Sequence, residues 1–287
     1  MSLLSPTLEA FSIIAKTGTV HAAARELGLT QTGVTQRLRS LESALSATLF
    51  TRSRRGMKLT VEGESLLRYC ESARDLEGEV LARIQNPGRM TGARLRITGP
   101  TSLLESRVVT QILPVLKAFP QLMLTLDVDD LETRIDDLRT GLTQFAIVPR
   151  EHVAREMDSK LLKPERYLLV GTKRWEGRDV RGIVKSERII DFNSDDKTTH
   201  HYLAKYRWLD GAQTERHFVN NNTALIRLLH EGVGYGVLLE EVARPTFESG
   251  SLVPLHPSGY LKAECALAWY PRPQMSPYFR ALIEKIQ

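Results

Sequence analysis

The residues whose types suit chemistry fall into two sets. The first is Thr30, Gln31, Thr32, Thr35, Gln36 and Arg39, within "LTQTGVTQRLRSLE". Amides, hydroxyls and guanidinium are the groups that base edges and backbone phosphates of duplex DNA accept. Arg52, Arg54 and Arg55 follow in "LFTRSRRGMKLTVEG", where two short extended runs flank Arg54-Arg55-Gly56 as a hairpin tip. Arginines on such a tip reach phosphate or the minor groove. The second set lies at the ends of predicted strands: Thr101 and Ser102, Asp129 and Asp130, Pro149 beside Arg150, Asp195 and Asp196 in "DFNSDD", and Asn221 within "NNN". Hydroxyls with the free N–H groups of a helix start suit a carboxylate, and acid pairs suit a cation. Together they describe a basic amino acid such as lysine or arginine. The plainer role for each acid pair is helix capping, which Asp performs often. His200-His201 invites a metal, but neighbouring histidines diverge on a helix and no third ligand is close in sequence, so no metal site is expected.

Charge is concentrated where the first set lies. Residues 1–60 hold eight Lys/Arg and three acids, so this head carries the whole net charge of +5. A cationic head on a neutral body points to a polyanion partner. The sequence has no nucleophile elbow, no phosphate-binding glycine loop and no metal-ligand cluster, which argues against an enzyme and against a resident cofactor. Cys70 and Cys265 are far apart and read as free thiols. No apolar run approaches the ~18 residues that span a bilayer, and "MSLLSPTLEAF" is not a secretory signal, so a soluble cytoplasmic protein without a membrane partner is expected.

These residues need elements to hold them. Leu4, Leu8, Phe11 and Ala15 recur at helical spacing in a first helix over Pro6–Lys16 that Gly18 ends. Thr19 caps a second, with Ala22, Ala23 and Leu27 inward, and Gly28 closes it. Thr30 caps a third, whose inward stripe is Val34, Leu38, Leu41 and Leu45. Two helices joined by a four-residue connection form the motif that lays its second helix in the major groove. A long helix over 60–85 follows. Leu66, Ala73 and Val80 repeat at seven, with Tyr69, Leu76 and Arg83-Ile84 between, as a pairing stripe. "NPGRMTG" then reads as a hinge. Beyond it, "ARLRIT", "LLESRVVTQILPVLKAFP" (bent near Pro114), "LMLTLDV", "LETRIDDLRTG" and "FAIVP" alternate as β-α-β-α-β, the pattern of a parallel sheet. "YLLVG", "RIIDF", a helix near 197–206, "RHFVN", "NTALIRLLHEG" and "GYGVLL" make a second set, and "ECALAWY" with "SPYFRALIEKIQ" ends the chain.

The ordered pair "AAARELGLTQTGVTQRLRSLE" and "LFTRSRRGMKLTVEG" resembles the winged helix of LysR-type transcriptional regulators, and the likeness extends over essentially the whole chain. Gly33 departs from it, standing where small helix formers such as Ala are usual. "HEGVGYGVLL" matches the family's glycine-rich segment. "RTGLTQFAI" lacks the usual acidic residue before the third strand and has Gln144 nearby. The resemblance implies an α/β fold: an N-terminal all-α winged helix-turn-helix over 1–60, a linker helix and hinge over 61–90, and an effector-binding region over 91–287. That region would comprise two Rossmann-like subdomains of the periplasmic-binding-protein-like type 2 kind. Subdomain I takes about 91–165 and 263–287, subdomain II about 166–262, and ligand sits between them. "VDD" and "DFNSDD" further resemble the arginine/lysine-responsive (ArgP/LysG-type) branch, in which the regulator controls an exporter of basic amino acids. The partners implied are double-stranded operator DNA, a small-molecule effector such as lysine or arginine, a homodimer through the linker helix, a homotetramer of such dimers, and contact with RNA polymerase. A regulator of another small metabolite, or an architectural DNA-binding protein without effector, stands as the alternative.

Overall fold

Each head helix begins and ends where the sequence provides a cap. In the computed structural model, which describes residues 4–53, 56–85, 93–129, 131–272 and 275–287, α1 (Pro6–Thr17) starts on Ser5, whose Oγ accepts the Leu8 N–H, and stops at Gly18 with φ 73°. Thr19 Oγ1 accepts the Ala22 N–H at 3.1 Å to open α2 (Val20–Leu27), and Thr30 Oγ1 accepts the Gly33 N–H at 3.1 Å to open α3 (Gln31–Leu45). Such caps contribute about 1 kcal/mol each. The strands β1 (Phe50–Ser53) and β2 (Gly56–Leu59) pair antiparallel, and the Met57 N–H donates to the Gly18 carbonyl at 2.8 Å, which fastens the hairpin to the α1–α2 corner. Arg54 and Arg55 lie outside the described residues.

The apolar stripes of these helices close on one core: Phe11, Ile14, Ala23, Ala24, Val34, Leu38, Leu41, Leu49 and Phe50. Leu45 does not join it. The stripe expected on α3 ends at Leu41, and Leu45 is 47% exposed, because the last turn of α3 passes beyond the core before Ser46 ends the helix in the left-handed conformation. The long helix α4 (Val61–Gln85) starts with Thr60 Oγ1 accepting the Gly63 N–H at 3.0 Å, and carries Glu62 and Glu64 where the helix dipole favours acids. Leu67 and Cys70 bury into the head core with Leu66 packed against it, while Tyr69 and Leu76 face outward. Leu66 of the expected seven-residue stripe therefore belongs to the head. The side chains of Val80, Arg83 and Ile84, and the hinge over 86–92, lie outside the described residues.

The body is two lobes. In the first, β3 (Arg94–Thr98) leads into one irregular helix made of α5 (Thr101–Leu103), a π turn (Leu104–Val108) and α6 (Val109–Ala118). A bend at Pro114 is expected from sequence, but Pro114 stays inside α6 and the irregularity falls at Leu104–Val108. β4 (Met123–Asp127), α7 (Leu131–Thr140), β5 (Phe145–Pro149) and β6 (Asp158–Leu161) follow. In the second, β7 (Glu165–Thr172), α8 (Val180–Ser186), β8 (Ile189–Asp191), α9 (Thr198–Lys205), β9 (Arg216–Phe218), α10 (Asn222–Glu231), β10 (Gly236–Leu239), α11 (Glu240–Glu248), β11 (Leu252–Pro254) and β12 (Leu261–Ala263) form the lobe. β13 (Cys265–Trp269) and α12 (Pro277–Lys285) return to the first.

The first sheet runs β4-β3-β5-β13-β6. Its β4, β3 and β5 are parallel, as the β-α-β-α-β pattern requires, and β6 runs in their direction, but β13 between β5 and β6 is antiparallel to both because the chain re-enters the sheet there from the second lobe. In the second lobe β7 pairs antiparallel with β10, β11 and β12, while β8 pairs parallel with β9 and makes a parallel bridge from Ile189 to Tyr235. Leu95, Ile97, Phe145, Leu267, Phe279 and Leu282 centre the first core; Leu169, Ile183, Ile189, Tyr202, Leu203 and Tyr235 centre the second.

One glycine carries a sharp steric requirement. A Cβ on Gly63 would stand 2.2 Å from the Leu49 carbonyl oxygen, a backbone atom that cannot swing aside. Gly63→Ala is expected to lower the stability of the head by about 1–3 kcal/mol, measured as a lower urea midpoint at unchanged slope; an unchanged midpoint would mean that α4 is seated differently.

Candidate functional site

Burying Val34, Leu38 and Leu41 forces the opposite side of α3 into water. Gln31, Thr32, Gln36 and Arg39 are exposed there and Thr35 is half-buried between them. These positions follow the helical period, so they share one face. Gln31 Nε2 lies 3.0 Å from His21 Nδ1 and ties this face to α2. The hydroxyl of Thr30 is engaged as the cap. Glu42, the one acid on α3, turns away from the face, and its Oε1 accepts the Leu49 N–H at 2.8 Å. The surface therefore presents donors, acceptors and a cation without an anion to repel phosphate. A Cβ on Gly33 would meet only Thr30 Oγ1, at 3.3 Å, so close packing does not explain the glycine. Arg52 lies on β1 opposite Met57.

In the body, Thr101 and Ser102 open an irregular helix that continues to Ala118. The Pro100 carbonyl accepts the N–H groups of Leu103 and Leu104, and those of Thr101 and Ser102 precede them at the helix end. Pro149 ends β5, half-buried and opposite Cys265. The acids divide. Asp129 Oδ2 accepts the Thr98 hydroxyl at 3.3 Å and lies near Asp137, whose carboxyl is pushed up by burial first and by Asp129 next. Asp130 lies outside the described residues. Asp196 has both oxygens on backbone N–H groups, of Thr198 at the start of α9 at 2.9 Å and of Phe192 in its own loop at 3.2 Å, so it ties the loop to the helix start beside the cap position Lys197. Asp195 is exposed, its own N–H donating to Asn193 Oδ1 at 2.9 Å. Asn221 is the cap of α10, with Oδ1 accepting the Ala224 N–H at 2.9 Å. Gln144 bonds the Arg96 N–H through Oε1 at 2.8 Å, and so secures the strand β3.

The strongest polar chemistry of the body, within the second lobe and across to the first, comes from other residues. Asp191, buried at the end of β8, accepts the Thr199 hydroxyl at 2.6 Å and Arg216 Nη1 at 2.8 Å. Burial raises its carboxyl, and those two hydrogen bonds oppose the rise. Arg216 also donates to the carbonyls of Asp196 and Ser194 and so shapes the "DFNSDD" loop. Asn222 Nδ2 donates to Glu105 Oε2 at 2.8 Å, from the second lobe to the π turn of the first. Arg107, on the same turn, reaches Glu241 Oε1 through Nε at 2.9 Å and the Lys163 carbonyl through Nη1 at 2.6 Å. Glu165 and Tyr167 open β7, and the Tyr167 hydroxyl donates to Glu165 Oε2 at 2.6 Å. Burial, then Glu165, push the Tyr167 phenol far up, with Cys265 and Asp196 adding to it; the Cys265 thiol is raised by burial and then by Glu165. The only sequence signal for Glu165 is a charge opening an apolar strand, with Tyr two residues on and so on the same side.

A cationic helix-turn-helix head joined to a two-lobed α/β body marks a DNA-binding regulator. The description "Bacterial regulatory helix-turn-helix protein, lysR family" matches residues 6–64, and "LysR substrate binding domain" matches residues 88–287. The chain belongs to the LysR family of transcriptional regulators, which are not enzymes. It is 32% identical over 158 residues to the HTH-type transcriptional regulator YofA of Bacillus subtilis (strain 168), covering 52% of this chain and 53% of that protein. Its fold is similar to the crystal structure of ArgP from Mycobacterium tuberculosis, with TM-score 0.77 and 21% identity, over 99% of this chain and 96% of that one. It is equally similar to full-length LysG from Corynebacterium glutamicum with bound effector Arg, with TM-score 0.76 and 19% identity over the same shares. Among the described residues no helix is long and apolar enough to cross a membrane.

Arg39→Ala is expected to weaken operator binding by about 1–3 kcal/mol while leaving the thermal midpoint unchanged, because Arg39 is exposed. A fluorescence-anisotropy titration reads this, and unchanged affinity would remove Arg39 from the reading face.

Proposed function

We propose that this regulator responds to a basic amino acid, lysine or arginine, bound between the two lobes, and that it controls an exporter of such amino acids as members of the arginine/lysine-responsive branch do. The observation that carries this reading is the polar asymmetry of the cleft. A helix start with two hydroxyls, Thr101 and Ser102, lies in one lobe, which suits the α-carboxylate. Carboxylates at the strand ends, Asp129 in the first lobe and Asp195 and Asp196 in the second, surround the ligand with negative charge that suits the cationic end. The likeness to a LysG structure holding arginine supports the same class of ligand. Pro149 and Asn221 complete the set as ends of neighbouring elements.

In this reading the head over 1–60 lays Gln31, Thr32, Thr35, Gln36 and Arg39 against base edges, with Thr30 at the helix start and Arg52, Arg54 and Arg55 on the backbone. Residues 61–90 form the dimer-pairing linker and hinge, and 91–287 the sensing body. Val61 at 75%, Tyr69 at 58% and Leu76 at 62% exposed leave an apolar strip along α4, and Val61 and Tyr69 with Leu45 border a groove of about 430 Å³. Pairing two copies of α4 would cover that strip. The two recognition helices then meet half-sites about one helical turn, or a multiple of it, apart.

Isothermal titration of the purified protein tests the effector directly. Lysine or arginine is expected to bind saturably with one site per chain, and leucine or glutamate at the same concentration to give no heat beyond dilution. Equal responses to neutral and basic amino acids, or none to any, would reject the basic-effector reading.

A further inference from the structure

Among the described residues, the buried charges of the body have partners, with one exception. Asp191 is matched by Arg216. Arg107 is matched by Glu241, and Arg134 Nη1 donates to the Ile147 carbonyl. Glu165 is only 2% exposed, yet it forms no ion pair with any described cation. Its Oε2 takes the Tyr167 hydroxyl at 2.6 Å and the Cys265 thiol, a weak donor, bonds the same carboxyl, while its Oε1 is buried with no nitrogen or oxygen donor among the described residues. A carboxylate removed from water without a counter-charge is strongly unfavourable, and the common remedy is a cation and a donor supplied together.

Its place in the fold says where that cation comes from. Glu165 is the first residue of β7, immediately after the crossover between the lobes. It stands opposite Ala263 on the returning strand β12, so it sits between the two crossovers. Arg107 of the first lobe holds the carbonyl of Lys163 two residues earlier. Tyr167, on the same side of β7, packs its ring against the core of the first lobe. The pair therefore faces the first lobe across the junction.

We propose that Glu165 is the residue that selects a cationic effector, its free Oε1 accepting the ammonium or guanidinium of the ligand side chain while Tyr167 keeps Oε2 occupied. This rests on the proposal that the cleft binds a basic amino acid, and it shifts the selecting role from Asp196, whose two oxygens are engaged by backbone N–H groups, to a carboxylate with a free acceptor. One available oxygen gives a single contact rather than the two-pronged pairing that favours guanidinium over ammonium, so lysine and arginine are both accepted. The raised Tyr167 phenol is consistent with this arrangement, since a neutral hydroxyl keeps its proton for Glu165.

The test compares arginine with citrulline, its uncharged isostere, by calorimetry on the full-length wild type and on Glu165→Gln, which keeps the shape and an acceptor for Tyr167. Wild type is expected to prefer arginine by about tenfold or more, and Glu165→Gln to narrow that preference to about threefold or less by losing arginine affinity. Operator binding, measured alongside, confirms that the variant is folded. If it is not, Glu165→Asp replaces it, with charge kept and reach shortened, and the same selective loss for arginine is expected. Undiminished arginine affinity, or equal losses for arginine and citrulline, would overturn the assignment. A wild type that binds neither lysine nor arginine would instead reject the basic-effector reading itself, and the assignment with it.

Discussion

The guanidinium of Arg107 joins the two lobes at the crossover. It is nearly buried, on the π turn of the first lobe, and its donors divide between Glu241 at the start of α11 and the backbone of the crossover at Lys163 and Pro164. A buried guanidinium needs partners for its N–H groups, so the spacing of the lobes near the crossover is constrained by one side chain. That side chain points there because of the π turn, which adds a residue to the local winding and is a form of helix found often at functional sites. The same turn places Glu105 against Asn222. A local departure from α-helical winding thus positions both contacts by which the first lobe's helix reaches the second lobe.

The head and body also share an element. The first turns of α4 are part of the head core through Leu67 and Cys70. One face of the same turns contacts the first lobe: Arg68 Nη1 donates to the Arg139 carbonyl at 2.5 Å, its guanidinium lies 4.2 Å over the Tyr270 ring, and Arg139 Nε is 3.2 Å from Glu64. Gly141, at φ 82°, comes close enough that a Cβ would stand 3.2 Å from the Arg68 Cα. A cavity of about 870 Å³ extends along this seam, between Ser65–Leu76 on one side and Gln144, Tyr270 and Met275 on the other. Movement of the first lobe therefore has a physical route to the helix that carries the head. An effector uses it only to the extent that it binds two arrangements of the chain unequally.

Much of this organisation was legible in the residues. The head was readable because its signals are local: Ser5, Thr19 and Thr30 cap, Gly18 and Gly28 end helices, and the aliphatic period of α3 fixes which side is wet. Leu45 was misread because periodicity does not say where a core stops. The reversed strand β13, and the antiparallel sheet around β7, were hidden because strand direction depends on long-range return of the chain, not on alternation. In the body, the strand-end residues were found by position, but which acids carry free acceptors was not. Asn221 caps, as Asn commonly does, and Asp196 is held by backbone N–H groups, whereas Glu165 reads in sequence as an ordinary charged strand start. Its significance comes from burial and from Tyr167, which only three-dimensional packing brings together with the crossovers.

The central claim is that the wet face of α3 and the cleft between the lobes are two sites on one coupled machine. Thermodynamic reciprocity tests it most directly: operator affinity is measured with and without saturating arginine, and arginine affinity with and without saturating operator. The account predicts that both ratios depart from one and are equal. Arginine that binds the protein with the same affinity whether or not operator DNA is present would contradict it.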